Sequence, residues 1–269
     1  MSRKLIFTTI AFCGLLCTSK AQIIATGYIE YGYGICKYKT EQLYVFTESY
    51  NSVNAPATPF GGKIGAAKGD FVKFGLGFGG NVSMMLDFAI YKMESNPLSA
   101  RFADGSGRDI WYQIRNSATT VGIKVGGTKE VPVWGQINMN VDIQHITLLT
   151  AYVFPDGSRS LGRDHALNGA YSDFNLVGGL GLSVGCRILG PLGVTASIDY
   201  TNRGIDSKSH PEYHEYGDNN DVGNDLGYIP RDVAAYNNGA YPSENSIYND
   251  FRGWSFTFGA VFMLSSDEK

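Results

Sequence analysis

The stretch Gln136–Gln144, QINMNVDIQ, alternates polar and apolar side chains without a fault. Ile137, Met139, Val141 and Ile143 form one face; Gln136, Asn138, Asn140, Asp142 and Gln144 form the other. A period of two marks a β-strand with two unlike faces. The pattern recurs in Ala25–Cys36, Phe71–Phe78, Val82–Tyr91, Ser117–Gly126, Asn175–Arg187, Leu192–Thr201 and Trp254–Leu264, and the opening stretch belongs to a segment that starts at Val133. Most of these eight segments have the ~9–11 residues that a tilted strand needs to cross a bilayer. The 34 glycines, 17 tyrosines and 15 phenylalanines also favour strands. Beyond the N-terminus, no stretch longer than about eight residues has a convincing helical period.

Seven charged residues fall within the eight segments: Glu30, Lys73, Asp87, Lys124, Asp142, Arg187 and Asp199. All occupy the face opposite the apolar one. A basic residue facing lipid at the bilayer midplane costs ~2–4 kcal/mol, so a lipid-facing surface excludes charge. A sandwich in water also keeps charge off its inner face, but its outer face would be rich in Lys and Glu. Here the polar face is Gly, Ser, Thr, Asn and Gln, with four acids nearly balanced by three bases. That composition suits an enclosed interior with paired ions. The connections alternate as well. Gly79–Asn81, Gly127–Pro132 and Ile188–Pro191 are short, whereas 37–70, 93–116, 145–174 and 202–253 are long. Short turns at one end and long loops at the other belong to outer-membrane barrels. The expected fold is all-β, an eight-stranded antiparallel up-and-down transmembrane β-barrel spanning 22–264. Ile137, Met139, Val141 and Ile143 then face lipid. Strand extensions above the membrane are expected within the long connections, such as Leu43–Phe46 and Ile110–Ile114.

Residues 1–21 read as a secretory signal: Arg3 and Lys4, a mostly apolar Leu5–Leu16, and a small-x-small cleavage site at Ser19–Ala21. Leu16 before Cys17 does not fit a lipoprotein site. The segment holds three of the 22 basic residues and no acid, so the exported chain has 19 bases against 25 acids, a net charge of −6. That balance argues against a nucleic-acid partner. With no later apolar run long enough for a membrane helix, a membrane form must be a closed barrel. Cys36 and Cys186 remain, and no disulfide is expected between them. Residues 265–269 form a short tail.

An eight-stranded interior is about wide enough to be filled by its own side chains. Gly32, Gly34, Gly75, Gly77, Gly179, Gly181 and Gly259 are expected to make room there for Lys73, Lys124 and Arg187. Glu30, Lys73, Asp87 and Asp199 count to similar heights, which suggests one buried ion network that plugs the barrel, or alternatively a gate. Tyr33, Tyr200 and Trp254 fall at the loop end of the apolar face, and Phe78 and Phe262 at the turn end, as interfacial belts.

With its eight alternating segments, its loop asymmetry and its aromatic last strand WSFTFGAVFML, the chain resembles the small eight-stranded outer-membrane β-barrel proteins, the group of OmpX and the membrane domain of OmpA. The resemblance covers nearly all of the exported chain and concerns architecture. It implies an outer-membrane location in a Gram-negative bacterium, contact with outer-membrane lipids and lipopolysaccharide, and insertion by the barrel-assembly machinery through the last strand. The SSDEK that follows Leu264 departs from a terminal Phe. Some such barrels are enzymes acting on lipid A, using a His and a hydroxyl two residues apart on the outer face. His145 and Thr147 have that spacing, but Thr stands for Ser and no acid is placed to orient the His.

Residues 206–250 carry nine acids against Lys208 and Arg231. DNNDVGND within them resembles a calcium loop but has Val222 where a ligand is needed. Pro211 argues against a helix that would pair His210 with His214. Tyr213, Tyr216, Tyr228 and Tyr236 make this loop the candidate binding segment for an extracellular glycan or protein. The sequence therefore suggests a non-enzymatic envelope or surface-interaction protein without a cofactor. A lipid A-modifying enzyme and a small pore are the alternatives.

Overall fold

A computed structural model describes residues 25–39, 41–128, 131–162, 165, 167–202, 232–239 and 252–265. Residues 1–21, expected to be a secretory signal, and 266–269 of the tail lie outside the described residues, as does 206–250 apart from 232–239. Ten strands occur in the order β1 (Ala25–Tyr38), β2 (Ala67–Gly79), β3 (Val82–Ser95), β4 (Leu98–Arg101), β5 (Gly107–Gly126), β6 (Val133–Val153), β7 (Arg159–Ser160), β8 (Gly169–Leu189), β9 (Leu192–Asn202) and β10 (Gly253–Ser265). β4 continues β3 after an interruption at Asn96–Pro97, where Pro lacks the N–H a ladder needs. β7 is a two-residue return at the end of β6. Eight staves remain, each antiparallel to its neighbours, and the sheet closes through β1–β10 and β5–β6. This is the expected eight-stranded barrel. Closure leaves no unpaired edge in the hydrocarbon layer.

The short turns β2–β3, β5–β6 and β8–β9 share one end of the barrel, and the long connections share the other. Much of the expected loop sequence is nevertheless strand. β5, β6 and β8 have 20, 21 and 21 residues, about twice a bilayer crossing. The side-chain pattern changes at 93–116 and 145–174, yet backbone pairing runs on through them into hairpins above the membrane. Ile110–Ile114 is such an extension. Leu43–Phe46 is not a strand: it lies in the helix α1 (Glu41–Asn54). Leu43, Phe46, Thr47 and Tyr50 are buried at helical spacing, while exposed Tyr44 and Val45 between them hide the period in the sequence.

The main apolar core sits above the membrane-spanning zone. The buried stripe of α1 meets Tyr38, Met93 and the inward Ile110, Tyr112, Ile114, Ile146 and Leu148. Burying each large side chain contributes ~1.5–3 kcal/mol. Asn51 fastens the chain after α1 by donating to the Phe60 carbonyl (3.1 Å) and accepting from the Phe60 amide (2.9 Å). The Tyr112 hydroxyl donates to the Gly65 carbonyl at 3.1 Å.

Two hairpin tips repeat one motif, Phe102-Ala103-Asp104-Gly105-Ser106 and Phe154-Pro155-Asp156-Gly157-Ser158. In each, the Asp Oδ1 accepts from the Ser amide at 2.9 Å and from its hydroxyl at 2.7 Å. The intervening Gly105 and Gly157 have φ of 86° and 83°, the left-handed region that glycine tolerates.

Candidate functional site

The outer surface carries a continuous apolar band. On β6, Ile137 and Met139 are each 65% exposed, while Gln136, Asn138, Asn140, Asp142 and Gln144 are buried inside. From Val133 to Ile143 the band spans ~26 Å at ~3.4 Å per residue and ~40° tilt, close to the ~25 Å apolar belt of a membrane barrel. Tyr33 and Trp254 are exposed at its loop end, with Trp254 packed on Tyr200 at 4.9 Å; Phe78 and Phe262 are exposed at its turn end.

Above one level the two faces exchange character. The inward positions of β6 become Ile146 and Leu148, both fully buried, and the outward ones become His145 and Thr147. β5 changes at the same register, where Asn116 pairs with Gln144 and Ile114 with Ile146. The outward Val72–Ile90 pair of β2 and β3 is followed by Asp70–Lys92 and then Lys68–Glu94. Lys92 in turn pairs with Arg115, and Arg115 with His145. The level thus crosses four adjacent strands. Below it the outside is apolar and the inside polar; above it the inside is apolar and the rim is charged. Asp70 opposite Lys92 and Lys68 opposite Glu94 put charges of both signs side by side along this rim.

His145 and Thr147 keep the outward parity, and the β6 ladder runs unbroken from Val133 to Thr150 against β8. The cross-strand neighbours of His145 are Arg115 and Phe174. Neither is an acid.

All seven charged residues of the membrane-spanning segments take the inner parity of their strands, at three heights. Near the turn end, Arg187 donates to the Gly127 carbonyl at 3.3 Å. Glu30, Lys73, Asp87 and Lys124 line one cavity of ≈ 20 Å³. There the Lys73 ammonium lies 3.5 Å from Glu30, and the Thr195 hydroxyl donates to Glu30. Gln136 donates to Asp87 at 2.9 Å, and the Lys124 ammonium lies 4.8 Å above the Trp134 ring. Asp142 and Asp199 line a second cavity of ≈ 20 Å³, nearer the loops. Asn116 donates to Asp142 (3.4 Å) and Asn140 to Asp199 (3.0 Å). Asp199 lines a different cavity from Glu30, Lys73 and Asp87, because tilt and stagger shift the heights of different strands, yet it still feels the Lys73 and Glu30 charges. Each cavity has room for about one water.

The interior glycines make room mainly for acids and rings. A Cβ on Gly259 would meet the Glu30 carboxylate, one on Gly181 the Asp199 carboxylate, one on Gly75 Asp87 and Tyr28, and one on Gly185 the Trp134 ring. The expected beneficiaries were Lys73, Lys124 and Arg187. The acids are short, so their carboxylates stay beside the barrel wall, where only a missing Cβ gives them space.

A further site, unseen in the sequence, lies on the outer face above the band. Asp109 is fully buried between Arg101 (2.7 Å) and Arg159 (2.6 Å) and accepts from the Ser99 hydroxyl at 2.6 Å. The Arg159 guanidinium also lies 5.6 Å from the centre of the Trp111 ring. Burial alone would raise the Asp109 carboxyl pKa, but Ser99 and the two guanidiniums outweigh it and hold it below the usual carboxylate range. Asp109 and Trp111 share a strand face; Arg101 ends the neighbouring β4, and Arg159 comes from β7, fifty residues on.

Of the loop candidates, Tyr213, Tyr216 and Tyr228 lie outside the described residues, as do DNNDVGND, His210 and His214. Tyr236 belongs to α2 (Val233–Asn237). The start of α2 is held against α1: the Ser49 hydroxyl donates to Asp232 at 2.9 Å and accepts from the Val233 amide at 2.8 Å. Val233 enters the core beneath. The last long connection therefore returns to the barrel mouth at 232–239. Among the described residues, no group of three or more His, Cys, Asp and Glu side chains is placed to hold a metal.

No protein-family model matches the chain, and no curated protein matches it. Among solved structures it is similar to a major outer membrane protein from Thermus thermophilus, with 11% identity, 89% of this chain and 99% of that one covered, and a TM-score of 0.45. It is also similar to Ail, the attachment invasion locus protein of Yersinia pestis, with 10% identity, 89% and 99% covered and a TM-score of 0.43. For Neisserial surface protein A the values are 10% identity, 88% and 96% covered and a TM-score of 0.38.

Proposed function

We propose that this chain is an exported, integral outer-membrane protein of a Gram-negative bacterium, non-enzymatic, acting in envelope integrity or surface interaction through its outer loops. One observation carries the reading: the faces exchange polarity along a single level across β2, β3, β5 and β6. A barrel surrounded by water has no reason to expose Ile137 and Met139 below that level and charges above it. A barrel crossing the boundary between hydrocarbon and headgroups requires both.

Lipopolysaccharide is the partner that suits the rim. Lys92 and Arg115 are exposed beside half-buried His145, directly above the apolar band, at the height of anionic phosphate groups. β10 is the segment offered to the barrel-assembly machinery. Residues 206–250, anchored at 232–239, are the part available to a glycan or protein ligand. The one-water cavities and the apolar plug around α1 favour a closed barrel over a pore.

The test is the outer-membrane fraction run in SDS with and without boiling. A folded barrel migrates differently until boiled, and replacing 206–228 by a short linker leaves that shift intact while removing surface binding. A periplasmic protein with no shift would overturn the membrane assignment. A modified lipid A profile that disappears in His145→Ala would overturn the non-enzymatic one.

A further inference from the structure

We propose that the upper lumen cavity is a calcium site, with Asp142 and Asp199 as its charged ligands and the side-chain oxygens of Asn116 and Asn140 completing it. The inference rests on the closed barrel and is independent of the envelope role proposed above.

The interior charges are unevenly shared. In the lower cavity two acids, Glu30 and Asp87, face two bases, Lys73 and Lys124. The upper cavity contains Asp142 and Asp199 and no basic side chain. Among the described residues, no Lys or Arg nitrogen lies within 4.0 Å of either carboxylate. The Lys73 charge of the lower cavity reaches Asp199 but is paired with Glu30 at 3.5 Å, so the two enclosed carboxylates remain underbalanced, and one divalent cation neutralises both.

The amides provide the second observation. Asn116, Asn140 and Asp142 are 8%, 9% and 4% exposed, and each retains an Oδ1 with no hydrogen-bond partner. All three line the cavity. Both amides direct an Nδ2–H to a carboxylate, Asn116 to Asp142 and Asn140 to Asp199, which leaves their oxygens as free acceptors. Thr201 and Ser255 add hydroxyl oxygens to the same wall. Buried acceptors in excess of donors are what a hard cation satisfies.

The backbone makes the space. Gly179 and Gly181 of β8 stand between Asn140 on β6 and Asp199 on β9. A Cβ on Gly181 would overlap the Asp199 carboxylate, so the missing side chain lets Asn140 reach across a whole strand to Asp199. Calcium fits this set better than magnesium. It accepts carboxylate and amide oxygens in flexible geometry, whereas magnesium keeps several waters, for which a cavity of about one water has no room. Cys36 adds a lone thiol to an otherwise oxygen-rich wall.

Tyr38 and Tyr91 line the same cavity, so bound Tb³⁺ can be excited through them. The full-length exported chain is refolded in detergent with Tb³⁺ and titrated by tyrosine-sensitised luminescence, alongside D142N/D199N. The wild type is expected to show one tight component, displaced by Ca²⁺ but not by equal Mg²⁺, and absent from the double variant. Because 206–250 is acidic and can also attract lanthanides, the difference between the two proteins is the readout. Equal titrations, or no tight component in the wild type, overturn the site. If D142N/D199N gives no folded band in cold SDS, Asn116→Leu decides. It keeps both carboxylates and removes one ligand oxygen. Affinity weakened by about tenfold or more supports the site, and unchanged affinity overturns it.

Discussion

Replacing Met139 by Arg places a guanidinium at the centre of the apolar band. Met139 is 65% exposed, lies near the middle of the outward run from Val133 to Ile143, and pairs with Val121 and Leu180, both exposed and apolar. No acid is present there to receive the charge. If lipid surrounds the band, Arg at this depth destabilises the barrel by ~2–4 kcal/mol. At about 1.4 kcal/mol per tenfold, the folded-to-unfolded ratio falls by ~30–700-fold. The same substitution at Val82, 61% exposed at the turn end of the band, lies close to the interface and costs ~0–1 kcal/mol. The two positions are similarly exposed, 65% and 61%, so depth is the main variable between them. The assay is reversible guanidinium unfolding of each variant in lipid vesicles, followed by tryptophan fluorescence. A gap of at least ~1 kcal/mol between M139R and V82R is expected from those depth-dependent costs. Equal stabilities within ~0.5 kcal/mol, the usual scatter of surface substitutions, would refute the lipid-facing band.

Three other perturbations probe the interior and the outer wall. Lys73→Met leaves Glu30 buried beside an apolar side chain and destabilises by ~3–5 kcal/mol, whereas adding Glu30→Gln recovers much of the loss; guanidinium midpoints measure both. Phe46→Ala removes a fully buried ring from α1 and loosens the plug by ~3–5 kcal/mol, so protease cuts 41–54 sooner while the folded band in cold SDS persists. Asp109→Asn weakens the outer clamp by ~1–3 kcal/mol, at the low end because both arginines reach solvent. The folded Asp109 pKa is depressed, so its contribution is complete above the unfolded carboxyl pKa of ~3.9 and is lost as pH falls through the folded value. D109N should therefore show a smaller loss of stability between about pH 4 and pH 2 than wild type.

How much was legible follows from the range of each interaction. Side-chain parity is a property of neighbouring residues, so QINMNVDIQ alone gives a two-faced strand, and eight such segments with alternating connections give the barrel. The inner parity of Glu30, Lys73, Asp87, Lys124, Asp142, Arg187 and Asp199 follows from the same period. The polarity exchange is also written in the sequence, as the step from Asn140, Asp142 and Gln144 to Ile146 and Leu148 at one parity, but locally such a step is indistinguishable from the end of a strand. α1 was obscured because Tyr44 and Val45 are apolar yet exposed. Its true stripe is recognisable only against the wall it meets.

What the tertiary structure alone decided depends on register between strands distant in sequence. Lys73 faces Glu30 while Asp87 takes Gln136, and Asp142 and Asp199 are gathered above them without a base. Arg101 of β4 and Arg159 of β7 converge on Asp109. Alternation fixes which face each side chain takes, because it depends only on local backbone geometry. Height within the barrel depends on tilt and stagger, which are settled when the sheet closes, so the assignment of partners among inward charges belongs to the closed structure.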